Sequence, residues 1–175
     1  MSEAARIGIR AEEPRDQRAV FEVHARAFPQ LGEAKLVDAL RAAGAMTISL
    51  VAERGGRVVG HILFSPVCVE GGGGSFVAQG LAPMAVDPSC QREGIGSALV
   101  RAGLDACRAA GHTTVFVLGH PDYYPRFGFE AAAQRGLHYE GGAGYAPAFF
   151  VVELAAGSLA GRSGVVHYRP EFAAL

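Results

Sequence analysis

The sequence predicts one α/β (α+β) domain on a mixed central sheet, with elements in the order β-α-α-β-β-β-α-β-α-β-β. Three observations predict it. Short apolar or alternating runs bounded by Gly and Pro are interleaved with segments of helical period. One run, 81–86, breaks at Asp87-Pro88-Ser89 and passes through a glycine-bearing loop into a helix-like stretch, a strand–turn–helix unit. No composition break, linker or internal repeat divides the 175 residues. A single domain over 1–175, with 155–175 as a C-terminal extension, follows.

Taken in order, Ile7 and Ile9 alternate with Gly8 and Arg10, as in a first strand. Glu12-Glu13-Pro14 opens a helix, with acids at its positive end and proline in its first turn. Val20, Val23, His24, Ala27 and Phe28 keep helical spacing until Pro29. A second helix over 33–43 places Leu36, Val37 and Leu40 on one face and ends at Gly44. Strands over 46–53 and 58–69 are joined by the turn signal Gly55-Gly56. Pro66 should mark a bulge or an unpaired edge position. His61 in this strand reads as a structural histidine before a catalytic one. Gly71 to Ser75 form a hairpin loop, and 76–86 the central strand.

A helix over 94–110 follows, with Ile95, Leu99, Ala102 and Ala106 as its apolar stripe and Gly111 as its cap. TTVFVL at 113–118 is a buried strand. Gly119-His120-Pro121 turns the chain into a short helical piece, 122–127. The segment 148–154 is the last apolar strand, and 165–168 an additional edge strand. The glycine-rich stretch 134–145 reads as a mobile loop carrying His138, Tyr139 and Glu140.

Composition narrows the function classes. Half the residues are apolar and the formal net charge is −1, with arginines scattered among acids and Lys35 the sole lysine. Nothing here makes a polyanion-binding surface, so nucleic acid is not an expected partner. Cys68, Cys90 and Cys107 are odd in number and far apart, without Cys-x-x-Cys spacing. They point to reduced thiols in a cytoplasmic setting and to no metal. Residues 1–10 lack a charged-then-apolar leader pattern, and no apolar run approaches membrane-spanning length.

The loop Gln91-Arg92-Glu93-Gly94-Ile95-Gly96-Ser97 lies where a helix starts. Backbone N–H groups there lack intrahelical partners at the positive end of the helix, so an anionic phosphate can sit against them. No lysine follows the glycines, and Leu99 stands where Gly-x-Gly-x-x-Gly needs its third glycine, so neither nucleotide-loop pattern fits. The string resembles the acyl-CoA pyrophosphate loop, Gln/Arg-x-x-Gly-x-Gly/Ala, of the GNAT superfamily of N-acetyltransferases. Tyr123-Tyr124-Pro125-Arg126-Phe127-Gly128-Phe129 is similar to a second signature of that family, (Phe/Tyr)-Tyr-x-x-x-Gly-Phe. The strings at 118–124 and 164–168 resemble a bacterial branch of predicted acetyltransferases labelled YhbS-like. One departure is that many members carry an asparagine before the tyrosine helix, where this chain reads Val117-Leu118-Gly119-His120-Pro121.

The resemblance implies a GNAT fold with a splayed central strand and acetyl-CoA as co-substrate. It implies that Gln91 to Ser97 hold the pyrophosphate, with Arg92 a further charge. Backbone groups of Met84, Ala85 and Val86 would pair with the pantetheine arm and polarise the thioester. Tyr124 would be the general acid that protonates the leaving thiolate, and Tyr123 core or groove wall. The base stays open among His120, His61, Glu140 through water and bulk water, with His120 first because it ends a strand beside Tyr124. The expected activity is N-acetyl transfer to a small-molecule or protein amine. The alternatives are a non-catalytic acyl-CoA sensor or an acyltransferase using a longer acyl-CoA. The tail after Leu154 is a candidate homodimer interface.

Overall fold

The computed structural model describes residues 6–175. The absence of a leader pattern at 1–10 therefore rests in part on residues outside those described. The first strand, β1, is Ile7–Ala11, and a 3-10 turn at Pro14–Asp16 leads into helix α1, Gln17–Ala27. Helix α2 is Gly32–Ala42. Strands β2 (Ile48–Arg54) and β3 (Arg57–Glu70) form a hairpin. Its turn glycines, Gly55 and Gly56, both take positive φ (56° and 76°), the geometry that matches strand twist.

At 14 residues, β3 is long enough to serve two partners on one edge. It pairs β2 up to Phe64 and β9 (Gly164–His167) from Cys68 onward. Pro66 falls in the interval between them, the unpaired edge position expected of a strand proline. Its other edge pairs β4, Phe76–Val86. The register slips from Ile62↔Met84 to Phe64↔Leu81, so Ala82 and Pro83 together face Leu63. This is a bulge in β4, one residue too many for its partner.

Helix α3 (Ile95–Ala109) then returns to β5 (Thr114–Leu118). β5 pairs β4 in parallel at only two positions, Gln79↔Val115 and Gly80↔Phe116. Beyond Gly80 the strands part and the sheet forks. The far side of β5 pairs β8 (Phe149–Glu153), which pairs the short β6 (Glu130–Ala131).

The two faces of the sheet are covered differently. Helix α3 covers one, packing Leu99, Val100 and Leu104 against Ile62, Phe64 and Val115. Its buried stripe is Ile95, Leu99, Val100, Gly103, Leu104 and Cys107. Ala102 and Ala106, expected on that stripe, are only half-buried at its margin. Gly103 permits the rotation, because the Phe64 ring lies where a side chain would stand. On the other face, α1 and α2 pack Val20, Val23, Val37 and Leu40 on Val51 and Leu63. Beside them the C-terminal part packs Leu137, Phe149 and Val166 on Val67 and Phe116.

Three local expectations change. The helical piece at 122–127 is a single 3-10 turn, Tyr124–Phe127. The stretch 134–145 contains a strand, β7 (Leu137–Tyr139), too short to show any period. The strand expected at the edge, β9, has partners on both sides, β3 antiparallel and β7 in parallel.

Candidate functional site

The fork leaves one edge of β4 without a strand from Leu81 to Val86, so backbone groups there have no ladder partner on that side. At its end Asp87 caps the 3-10 turn Pro88–Cys90, accepting from Ser89 N (3.0 Å) and Ser89 Oγ (2.6 Å) and pairing with Arg26 at 2.9 Å. These donors, the Ser89 hydroxyl first, hold the Asp87 carboxyl below its usual range. The Gln91 amide donates to Val86 O at 3.1 Å and folds the loop back onto β4. Glu93 turns away to Arg54, at 2.6 Å.

Arg92 and Gly94 take left-handed backbone, φ 63° and 83°, and α3 starts at once. The first helical hydrogen bond is Ala98 N to Gly94 O, 3.0 Å. The N–H groups of Ile95, Gly96 and Ser97 are therefore unspent at the positive end of a 15-residue helix. A Cβ on Gly94 would meet nothing within 4 Å, so this face of the loop is open.

The opposite wall is the tyrosine turn. The N–H groups of Tyr123 and Tyr124 both donate to His120 O, at 3.1 and 3.4 Å. The Tyr124 ring lies against Gly119, where a Cβ would stand 2.1 Å from Cε2. Tyr123 crosses it edge-on at 5.1 Å, and its hydroxyl reaches Gly96 of the loop. Burial raises the Tyr124 phenol, which stays protonated through the neutral range. The Arg126 guanidinium stacks 4.6 Å over the Tyr123 ring.

Between the walls lies a cavity of about 530 Å³. It gathers Met84, Ala85, Val86, Gln91, Arg92, Gly94, Ile95, Gly96 and Ser97, every residue the sequence assigns to the cofactor except Glu93. Tyr124 is buried behind Tyr123, and His120 is exposed and is not among the residues that line the cavity. Phe28 and Arg126 also line the cavity. Arg126 lies in the tyrosine motif, and Phe28 opens the link 28–32, which a transferase of this kind would place at the border of its acceptor pocket. Arg92 and Arg126 put positive charge where an anion would lie.

A second polar group lies deeper, under the open half of β4. His24 Nε2 and His61 Nδ1 share a hydrogen at 2.8 Å, and His61 Nε2 meets Ser49 Oγ at 2.8 Å. Glu12 accepts from Ser49 and from Arg41. Burial pushes both imidazoles down, His24 to about 3. Burial would raise Glu12, but its bonds to His61 and Ser49 outweigh that and bring it down to about 2. His61 is thus fully buried and structural in its contacts. Glu140 is occupied too, accepting from Tyr168 N (2.8 Å) and bonding His167 Nδ1 (3.0 Å). Among the described residues no cluster of three or more His, Cys, Asp or Glu is placed to hold a metal, and no helix is long and apolar enough to cross a membrane.

Known proteins share this arrangement. A family profile described as an acetyltransferase (GNAT) domain matches residues 8–132. The chain is 41% identical to YhbS of Escherichia coli K12, described as an uncharacterized N-acetyltransferase, over 94% of this chain and 97% of the relative. A crystal structure of that Escherichia coli protein in complex with CoA superposes with a TM-score of 0.92 at 39% identity, covering 99% of this chain and 95% of that one. A GNAT family acetyltransferase from Brucella melitensis, crystallised with acetyl-CoA, gives a TM-score of 0.78 at 37% identity, over 96% of this chain and 99% of that one.

Proposed function

The chain belongs to the GNAT family of acetyltransferases, and from that premise we propose that it moves the acetyl group of acetyl-CoA to a primary amine by direct attack in a ternary complex. The observation that carries this reading is the cavity joining the open edge of β4 to the N-terminus of α3, with Tyr124 behind its far wall. The pyrophosphate of the co-substrate lies against the N–H groups of Ile95, Gly96 and Ser97, with Arg92 and Arg126 beside it. The pantetheine arm follows the open edge and pairs with backbone groups of Met84, Ala85 and Val86. An N–H of this segment donates to the thioester oxygen and stabilises the negative charge that develops there. The solved relatives, named as complexes with CoA and acetyl-CoA, support this choice of co-substrate.

The amine nitrogen attacks the acetyl carbon and loses a proton to a base, for which the exposed His120 is the first candidate. The C–S bond breaks, and Tyr124 gives its proton to the departing thiolate. Burial keeps this phenol fully protonated before the step. The acceptor is a small-molecule or protein amine. A cytoplasmic setting fits the three free cysteines.

The test has two arms, with the same protein in each. Calorimetry measures CoA binding, and CoA release is followed with acetyl-CoA and a panel of amines. Binding together with amine-dependent release is the expected result. Binding without release from any amine would leave an acyl-CoA-binding module. Release only from longer acyl-CoA would reassign the donor, and no binding at all would refute the reading of the cavity.

A further inference from the structure

The two glycines of the phosphate loop meet different surroundings. Gly94 takes φ 83°, and a Cβ on it would meet nothing within 4 Å. Gly96 lies inside the first turn of α3, where alanine is the better helix former. Space rather than φ favours glycine there. A Cβ on Gly96 would stand 3.0 Å from the Tyr123 hydroxyl, with Met84 Cε and Val86 Cγ2 at 3.7 Å. The phenol thus crosses from the tyrosine turn to the helix start and occupies the place a side chain would take.

The turn fixes Tyr123 in that pose. Its N–H donates to His120 O at 3.1 Å, and its carbonyl accepts from Arg126 Nε at 3.3 Å. Tyr124 (5.1 Å) and Phe127 (5.2 Å) cross its ring edge-on, and the Arg126 guanidinium lies 4.6 Å from the ring centre. A ring held on several sides loses little further freedom when a ligand binds. Tyr123 is half-buried and lines the same cavity as Ile95, Gly96 and Ser97. As a wall alone it would need only its ring, which phenylalanine supplies. The hydroxyl is what the wall does not use, and it stands beside the N–H groups that α3 leaves unspent.

We infer that the Tyr123 hydroxyl is a further ligand of the co-substrate, donating to a phosphate oxygen of its pyrophosphate, and that Gly96 is glycine to admit it. The inference rests on the reading of this cavity as an acyl-CoA site. Tyr123 and Arg126 then form the side-chain half of a phosphate clamp whose other half is backbone. Such a clamp favours a diphosphate-bearing donor over a bare pantetheine thioester.

Three probes separate these parts: CoA, adenosine diphosphate, which keeps the diphosphate without the arm, and pantetheine, which keeps the arm without a phosphate. Binding of each is measured by NMR titration to the wild type and to Tyr123→Phe. The variant should bind CoA and adenosine diphosphate about tenfold more weakly, the scale of one lost hydrogen bond to a charged group, with pantetheine affinity and Tm unchanged. Unchanged CoA affinity, a loss for CoA that adenosine diphosphate does not share, or an equal loss for pantetheine overturns the inference. Gly96→Ala should weaken CoA binding more in the wild type than in the Tyr123→Phe background, because only the hydroxyl crowds the added methyl. An equal loss in both backgrounds overturns the contact. A wild type that binds none of the probes refutes the acyl-CoA reading of the cavity, and the role of Tyr123 falls with it.

Discussion

The two halves of β4 differ in their neighbours more than in their residues. Residues 76–80 read FVAQG and 81–86 read LAPMAV, both apolar, neither with a side chain of obvious chemistry. The first half ends in a pairing with β5, and the second has only β3. Ala82 and Pro83 divide them, since the bulge turns the strand and proline carries no N–H to offer a neighbour. The closed half is backed by Val67 and Phe116 and the open half by His61, which pairs with Ala85. Side-chain character makes both halves strands. The missing partner leaves one of them with an open edge.

The largest effect should come from the loop that completes the open half. Gly94→Val puts a β-branched residue at φ 83°, where such residues are rarely found. CoA binding by calorimetry should be abolished while the circular dichroism spectrum is kept. Intact binding would break the link between the open edge and the loop. Next, Tyr124→Phe should lower kcat by about 10²–10⁴ with little change in CoA affinity, the usual range for a lost proton donor. Turnover equal to wild type at every pH would remove Tyr124 from the step.

A third substitution is a packing control away from the edge. Gly103→Ala would place a Cβ 2.4 Å from the Phe64 ring. Overpacking of this kind costs about 1–3 kcal/mol, read as a lower Tm, while the protein that remains folded should bind CoA normally. A matching loss of CoA affinity would mean that the edge depends on how α3 is seated.

The last effect, absent at neutral pH and seen only in acid, concerns what backs the open half. His24 and His61 are neutral when folded, whereas an unfolded chain takes up protons near pH 6.5. Their contribution is complete above that pH and is lost as pH falls towards about 3, where His24 itself titrates. Glu12, held at about 2, loses its contribution below about 4.5, in the same direction. Stability by urea titration should fall by up to about 1.4 kcal/mol per pH unit for each histidine below pH 6.5. His24→Gln should flatten that slope, and a slope unchanged from wild type would deny the imidazoles this role.

Much of this was legible before any coordinates. The element order followed from period and from Gly and Pro punctuation, as at Gly55-Gly56, Pro29 and Gly111. The cofactor loop and the tyrosine turn were legible as local strings, and all but Glu93 of the assigned cofactor residues line one cavity. The short strands β6 and β7 were not legible, because two or three residues cannot show a period. Nor was the His24–His61–Glu12 group, whose members sit on separate elements.

By itself the sequence determined what each segment is: which residues turn, which cap, which loop offers bare N–H groups to an anion. Those are properties of a few neighbouring residues, set by φ, by missing donors and by apolar period. The tertiary structure alone decided who stands beside whom. It ended the β4–β5 pairing at Gly80, set His61 behind the open half, and carried Tyr168 back across the chain to lie over Gly80. Pairing between distant segments depends on register and on which faces remain to be covered, and no local pattern in the chain encodes either.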